Sequence, residues 1–191
     1  MEALLVSTGI VALAEIGDKT QLLALVLAAR FRQPLPIVLG ILCATLANHA
    51  LAGAVGAAVA AAVDEAVLRW ILGLSFLAMA AWTLVPDAYD DAAGHRPRYG
   101  AFVTTLVAFF LVEMGDKTQL ATVALAAKYD ALAAVVAGTT LGMMIANVPA
   151  VMLGEVAATK LPLRLVRAVA AAGFAVLGLL VLAGFGPGLP R

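Results

Sequence analysis

Glu15, Asp18, Lys19, Thr20 and Gln21 stand together in the heptapeptide EIGDKTQ, and Glu113, Asp116, Lys117, Thr118 and Gln119 stand in nearly the same word, EMGDKTQ, 98 residues later. Each word holds two carboxylates, one ammonium group and two neutral oxygens. Read as continuous helix, Glu15, Asp18 and Lys19 fall at i, i+3 and i+4 on one face, so the acids converge while Lys19 neutralises one of them. Glu113, Asp116 and Lys117 repeat the arrangement. Gly17 and Gly115 permit close helix approach, or a break that frees carbonyl oxygens toward a cavity. Four carboxylates and two lysines leave a charge of −2, which one divalent cation or two protons would cancel. Oxygen donors without histidine or cysteine suit a hard ion such as Ca²⁺, Mn²⁺ or Mg²⁺ and argue against Zn²⁺ or Cu⁺. The expected chemistry is competition between a metal ion and protons for one set of carboxylates. Glu15, Asp18, Glu113 and Asp116 would be the ligands, Thr20, Gln21, Thr118 and Gln119 additional oxygens, and Lys19 and Lys117 would tune the charge.

Both words interrupt apolar runs. The chain is 64% hydrophobic and 13% charged, with a mean hydropathy of +1.05, where a soluble domain has about 45–50% and about 25%. This composition predicts an integral membrane protein, its partner the lipid bilayer. Zero net charge and the lack of a basic run exclude nucleic acid as a partner. Six apolar segments approach the roughly 20 residues that cross a bilayer: Ala3–Ala29, Leu35–Val63, Ala66–Val85, Ala101–Ala127, Ala131–Ala157 and Pro162–Phe185. One long polar linker, Pro86–Gly100, separates them into threes. At the 98-residue offset Leu13, Leu22, Leu27, Ala28 and Ala29 also match their counterparts, and Arg30/Lys128, Phe31/Tyr129 and Gly40/Gly138 continue the register. Three spans is an odd number, so the second copy enters the membrane upside down. The expected fold is all-α integral membrane, six transmembrane helices as two inverted three-helix repeats, with the substrate site near the midplane between them. Residues 1–86 form the first repeat, 87–100 the linker and 101–191 the second.

An Asp or Lys at the bilayer centre costs about 2.5–3.5 kcal/mol. Two private Glu–Lys pins would be one use for that cost, but each copy carries a second acid that a pin does not need. Arg30, Arg32, Arg96, Arg98, Lys160, Arg164 and Arg167 fall on one side of the expected topology, against Arg69, Lys128 and Arg191 on the other. The positive-inside rule then makes the linker cytoplasmic and puts both termini outside. Trp70, Trp82, Tyr89, Tyr99 and Tyr129, near span ends, read as interfacial anchors. Cys43 reads as a small buried hydrophobe and Glu155 as an interfacial partner of Lys160. Asn48 and Asn147, inside the second and fifth spans, either bond between helices or line the pathway. His49, with no counterpart, would be a proton relay only if it faces that pathway. Ser7, Thr8, Thr104 and Thr105 are expected to bond their own backbone carbonyls. Met114 and Met144 read as packing or lipid-facing residues; an inward sulfur would favour manganese.

Two copies of E-x-G-D-[KR]-[ST] about 100 residues apart in a six-span chain resemble the Gdt-type, or transmembrane protein 165-like, family of cation exchangers, also classed as calcium:proton antiporter-2. The resemblance covers the whole chain. It implies export of Mn²⁺ and/or Ca²⁺ from the cytosol against protons, with Glu15, Asp18, Glu113 and Asp116 at the cation site and Lys19, Thr20, Lys117 and Thr118 completing the words. The short linker and the lack of an amino-terminal extension resemble bacterial plasma-membrane members. No cofactor is implied: the metal is cargo and H⁺ the counter-ion. A homo-oligomer is compatible with this reading.

Two rivals come from other classes. An intramembrane aspartyl protease needs two acids sharing a proton with no adjacent base, whereas each pair here carries a lysine. An exporter of amino acids or organic cations would line its site with aromatic residues, which the two words lack. No Gly-x-x-x-x-Gly-Lys loop is present, so a gradient and not ATP must drive transport.

Overall fold

The computed structural model describes residues 1–85, 99–153 and 163–185. Within them the chain is all helical. The helices are α1 (Glu2–Glu15), α2 (Lys19–Phe31), α3 (Pro34–Ala62), α4 (Glu65–Thr83), α5 (Ala101–Glu113), α6 (Lys117–Lys128), α7 (Leu132–Leu153) and α8 (Leu163–Leu182). Four of them, α3, α4, α7 and α8, are long and apolar enough to cross a membrane. The first and fourth expected spans are not continuous: each consists of two short helices, α1 with α2 and α5 with α6, parted at the repeated word. At 1.5 Å per residue these pieces run about 18–21 Å, too short to cross alone.

The halves are interleaved. α1 packs against α7, and α5 against α3. A Cβ added to Gly138 of α7 would lie 2.6 Å from the Leu4 carbonyl oxygen and 2.9 Å from Ser7 Cβ. A Cβ on Gly40 of α3 would lie 2.8 Å from the Phe102 carbonyl oxygen and 2.8 Å from Thr105 Cβ. Gly40/Gly138, Leu4/Phe102 and Ser7/Thr105 are each 98 residues apart, so one crossing is built twice. Only a residue without a side chain lets backbones approach this closely.

α4 and α8 form the remaining pair, stacked through Phe76 and Phe174 with ring centroids 6.5 Å apart. This pair breaks the internal likeness of the halves. α4 leans on α6 and α8 leans on α1, while neither makes contact of comparable extent with α2 or α5 among the described residues.

Several expectations change. Cys43 is exposed on the outer surface of α3, where lipid and not protein would cover it. Tyr129 is no interfacial anchor, because its ring is buried and its hydroxyl engaged; Trp70, Trp82 and Tyr99 do face outward. Tyr89, Arg96, Arg98, most of the linker, and the Glu155–Lys160 pair lie outside the described residues.

Candidate metal centre

The repeated word folds as a turn between two half-helices. Ile16 adopts φ −64°, ψ 116° and Gly17 φ +79°; Met114 adopts φ −66°, ψ 118° and Gly115 φ +79°. The Asp18 amide donates to the Glu15 carbonyl at 3.0 Å and the Asp116 amide to the Glu113 carbonyl at 3.1 Å. This is the signature of a type II turn, whose third position needs positive φ and therefore glycine. Each turn ends α1 or α5 on a glutamate and starts α2 or α6 from an aspartate at the N-cap. Neither aspartate uses its carboxylate to cap the helix it precedes.

Those carboxylates go across the molecule instead. Lys19 Nζ lies 2.7 Å from Asp116 Oδ1, and Lys117 Nζ pairs with Asp18 Oδ1. The expected pairing of each lysine within its own word is thus corrected. The turn interrupts the i, i+4 register that would have aligned Asp18 and Lys19 with Glu15, and each lysine serves the opposite half.

Glu15 and Glu113 are both fully buried. The Thr20 hydroxyl donates to Glu15 Oε2 at 2.6 Å and the Thr118 hydroxyl to Glu113 Oε2 at 3.0 Å. Each threonine sits one residue past the start of the second half-helix and reaches back over the turn to steady the glutamate. Oε1 of both glutamates is buried without a hydrogen-bond partner. One oxygen each from Glu15, Glu113 and Asp116 lies within 4.8 Å of the others. Buried carboxylate oxygens left without a donor are costly, and a cation or a proton placed among them would offset that cost. Asp18, held against Lys117, is the one expected ligand outside that trio.

The amide oxygens of Gln21 and Gln119 each accept one hydrogen bond from the glycine of their own turn. Gln21 Oε1 accepts from the Gly17 amide at 3.0 Å and Gln119 Oε1 from the Gly115 amide at 2.7 Å. Their amide nitrogens tie each turn to the other half: Gln21 Nε2 donates to the Ala146 carbonyl at 3.0 Å, and Gln119 Nε2 to Asn48 Oδ1. Ala146 lies three residues before Pro149, which lacks the N–H that would bond the neighbouring Ile145 carbonyl. Asn48 is therefore an interhelical strut, with Nδ2 also 3.4 Å from the Phe110 carbonyl. Asn147 Nδ2 bonds the Met143 carbonyl of its own helix at 3.1 Å, leaving Oδ1 buried without a partner.

His49 is buried with both ring nitrogens unpartnered. Met114 is exposed, its sulfur 3.4 Å from Gln119 Nε2, which removes it as a ligand candidate. Thr8 bonds its own helix as expected and Thr104 the Tyr99 carbonyl, while the buried hydroxyls of Ser7 and Thr105, at the glycine crossings, have no partner. Sequence reasoning missed Arg167, whose Nη2 lies 3.5 Å from the Gly17 carbonyl oxygen. It also missed the engagement of Glu2 with Tyr129. Lone charged residues at span ends carry no pattern to mark them.

Comparison with known proteins places these features in a family. A family model described as "Divalent cation/proton antiporter GDT1" matches residues 3–91 and 101–185. A protein of Vibrio cholerae serotype O1 named "Putative manganese exporter" is 52% identical over 180 residues, which cover 94% of this chain and 90% of that one. Rice (Oryza sativa subsp. indica and subsp. japonica) has proteins named "GDT1-like protein 3", 30% identical over 216 residues, covering 98% of this chain and 75% of theirs. No solved structure matches the chain. The chain is a transporter and not an enzyme, and it belongs to the GDT1 family of divalent cation/proton antiporters.

Proposed function

We propose that this chain exports Mn²⁺ from the cytoplasm in exchange for protons, at a site made by Glu15, Glu113 and Asp116 with Asp18 close by. The observation that carries this reading is the pair of fully buried glutamates, one from each half, whose Oε1 atoms have no donor. Two lysines balance two aspartates across the halves, so the charge left over is that of the two glutamates. A divalent cation cancels it, and two protons cancel it equally well. Because ligand oxygens must be deprotonated to hold a metal, binding of one cargo expels the other. Manganese is favoured over calcium by the name of the Vibrio relative. Hard oxygen donors suit both ions, and Ca²⁺ is the second cargo to test.

In this reading α1 with α2 and α5 with α6 count as two further, broken spans, giving six in two inverted three-helix repeats at residues 1–86 and 101–191. The broken helices put backbone turns where they line a cavity. The excess of Lys and Arg puts the linker in the cytoplasm and the termini outside a bacterial plasma membrane. Metal enters from the cytoplasm, the halves shift about the shared site, and outside protons displace it. Lys19 and Lys117 keep the aspartates charged and apart, while Thr20 and Thr118 aim the glutamates.

The test is purified protein in vesicles with an imposed pH gradient, following Mn²⁺ and Ca²⁺ flux. Gradient-driven Mn²⁺ movement that is lost in Glu15→Gln and in Glu113→Gln is expected. Flux indifferent to both the gradient and these substitutions would overturn the reading.

A further inference from the structure

The two halves are alike in their crossings and unlike in their closure. On the face that carries Met1 and the α6–α7 turn, the Tyr129 hydroxyl donates to Glu2 Oε1 at 3.1 Å. Lys128 Nζ donates to the same hydroxyl at 3.3 Å and stands 4.7 Å from the Tyr129 ring centroid. Lys128 and Tyr129 are both buried. Burial and the neighbouring Glu2 carboxylate raise the phenol above its ordinary value, so it stays a donor. A cleft of about 510 Å³, bounded in part by Glu65, Lys128, Tyr129 and Asp130, opens beside this cluster. These contacts bridge 127 residues of sequence and join the start of α1 to the end of α6.

At the 98-residue offset Glu2, Lys128 and Tyr129 correspond to Gly100, Arg30 and Phe31. Phe31 has no hydroxyl and Gly100 no carboxylate, so the opposite face cannot make the same cluster. The packing of α4 and α8 is one-sided in the same sense. They lean on α6 and α1, the half-helices that the cluster joins, and not comparably on α2 and α5. Ile10 of α1 shows how closely that side is shut: a Cβ on Gly173 of α8 would lie 2.9 Å from its Cδ1.

We propose that Glu2, Lys128 and Tyr129 are the latch of a one-sided gate, holding shut the face where α1 and α6 meet; its release lets the α4–α8 pair tilt toward α2 and α5. The proposal rests on the transport reading for its purpose but not for its test. It makes the latch the contact that favours this arrangement, with α4 and α8 set against α6 and α1, over its mirror. Lys128 orients the phenol, and the carboxylate of Glu2 fixes it. Release breaks hydrogen bonds at a membrane face, where water replaces them at small net cost, which suits a contact that must open in every cycle.

The experiment uses Ile10→Cys in a Cys43→Ala background, reconstituted in vesicles and labelled with a membrane-impermeant maleimide from the side of the termini. With the latch intact, labelling is slow. Tyr129→Phe removes both hydrogen bonds without changing the ring, and labelling is expected to accelerate about tenfold, the order set by one or two lost hydrogen bonds. Phe31→Tyr with Gly100→Glu builds the mirror latch beside Arg30 and is expected to accelerate it as well. Unchanged labelling in both would overturn the latch. Val6→Cys, also on α1, replaces Ile10→Cys if that variant does not fold. Mn²⁺ flux in matched vesicles of the unsubstituted protein separates the two ideas: flux without a labelling change removes the latch alone, and a labelling change without flux removes the transport reading alone.

Discussion

Lys19 Nζ lies 2.7 Å from Asp116 Oδ1, so the cation of the first word is held by the acid of the second. Its counterpart, Lys117 with Asp18, is buried on both sides. Paired this way, the lysines fasten the two turns to each other, and each glutamate takes its hydrogen bond from a threonine. Lys19→Met leaves Asp116 a buried charge without its lysine and is expected to destabilise by about 1–3 kcal/mol, below the range for a fully buried pair because the Lys19 side chain is 26% exposed. Adding Asp116→Asn should recover much of that stability without recovering Mn²⁺ flux. Thermal unfolding in detergent and vesicle flux measure the two effects separately.

Glu15→Gln and Glu113→Gln keep an oxygen for Thr20 or Thr118 and remove the charge. Each is expected to leave the protein folded while lowering Mn²⁺ flux at least tenfold, since losing even a group that only orients a ligand costs about 10–100-fold. Proton movement coupled to Mn²⁺ should fall with it. Flux with a pH-sensitive dye inside the vesicle reads both.

If two carboxylates must lose their protons before Mn²⁺ binds, the apparent affinity falls as pH falls. The expected slope in the acid range is about 100-fold per pH unit, because metal binding and proton release are linked. Metal-binding titrations of detergent-solubilised protein at several pH values check the sign and the slope. A flat profile would mean that protons and metal do not share these oxygens.

Gln21→Leu and Gln119→Leu each remove a bond to a glycine amide and a bond to the opposite half. They are expected to reduce the maximal rate more than the apparent affinity, since the amide oxygens face backbone and not the cluster. Asn48→Leu removes the acceptor for Gln119 and should slow transport; Asn48→Asp keeps that acceptor but sets a buried carboxylate against the Phe110 carbonyl and should not restore it. Initial rates over a range of Mn²⁺ concentrations separate rate from affinity.

Gly138→Val and Gly40→Val place branched side chains where even a Cβ meets a carbonyl oxygen at 2.6–2.8 Å. Both are expected to destabilise by about 1–3 kcal/mol or more, as overpacking does, and to similar degrees because the two crossings are equivalent. Thermal midpoints of the two variants provide the comparison.

Much of this architecture is written in the sequence, but not all of it in the same way. The apolar lengths of α3, α4, α7 and α8 are sufficient to name them as membrane helices. The 98-residue register is enough to relate Gly40 to Gly138. The break is one of two roles the sequence leaves open for Gly17 and Gly115, and the structure shows it as a type II turn, whose third position demands glycine. The partners of Lys19 and Lys117 were not legible, because i, i+4 arithmetic assumes the helix continues and the turn carries each lysine away from its own acids. Nor could Tyr129 be read as a buried donor, since its environment depends on where α1 begins relative to α6. Local spacing fixes what a residue can reach on its own helix, and tertiary packing decides whom it meets.

The glycine crossings carry a consequence for biogenesis. α1 has its closest neighbour in α7 and α5 has its own in α3, so the first helix synthesised waits for one of the last. Until residues 132–153 emerge, its small, polar-studded flank lacks its main partner. Newly made chains should therefore remain vulnerable to membrane quality control until translation is nearly complete, and two separately expressed halves should accumulate only when present together.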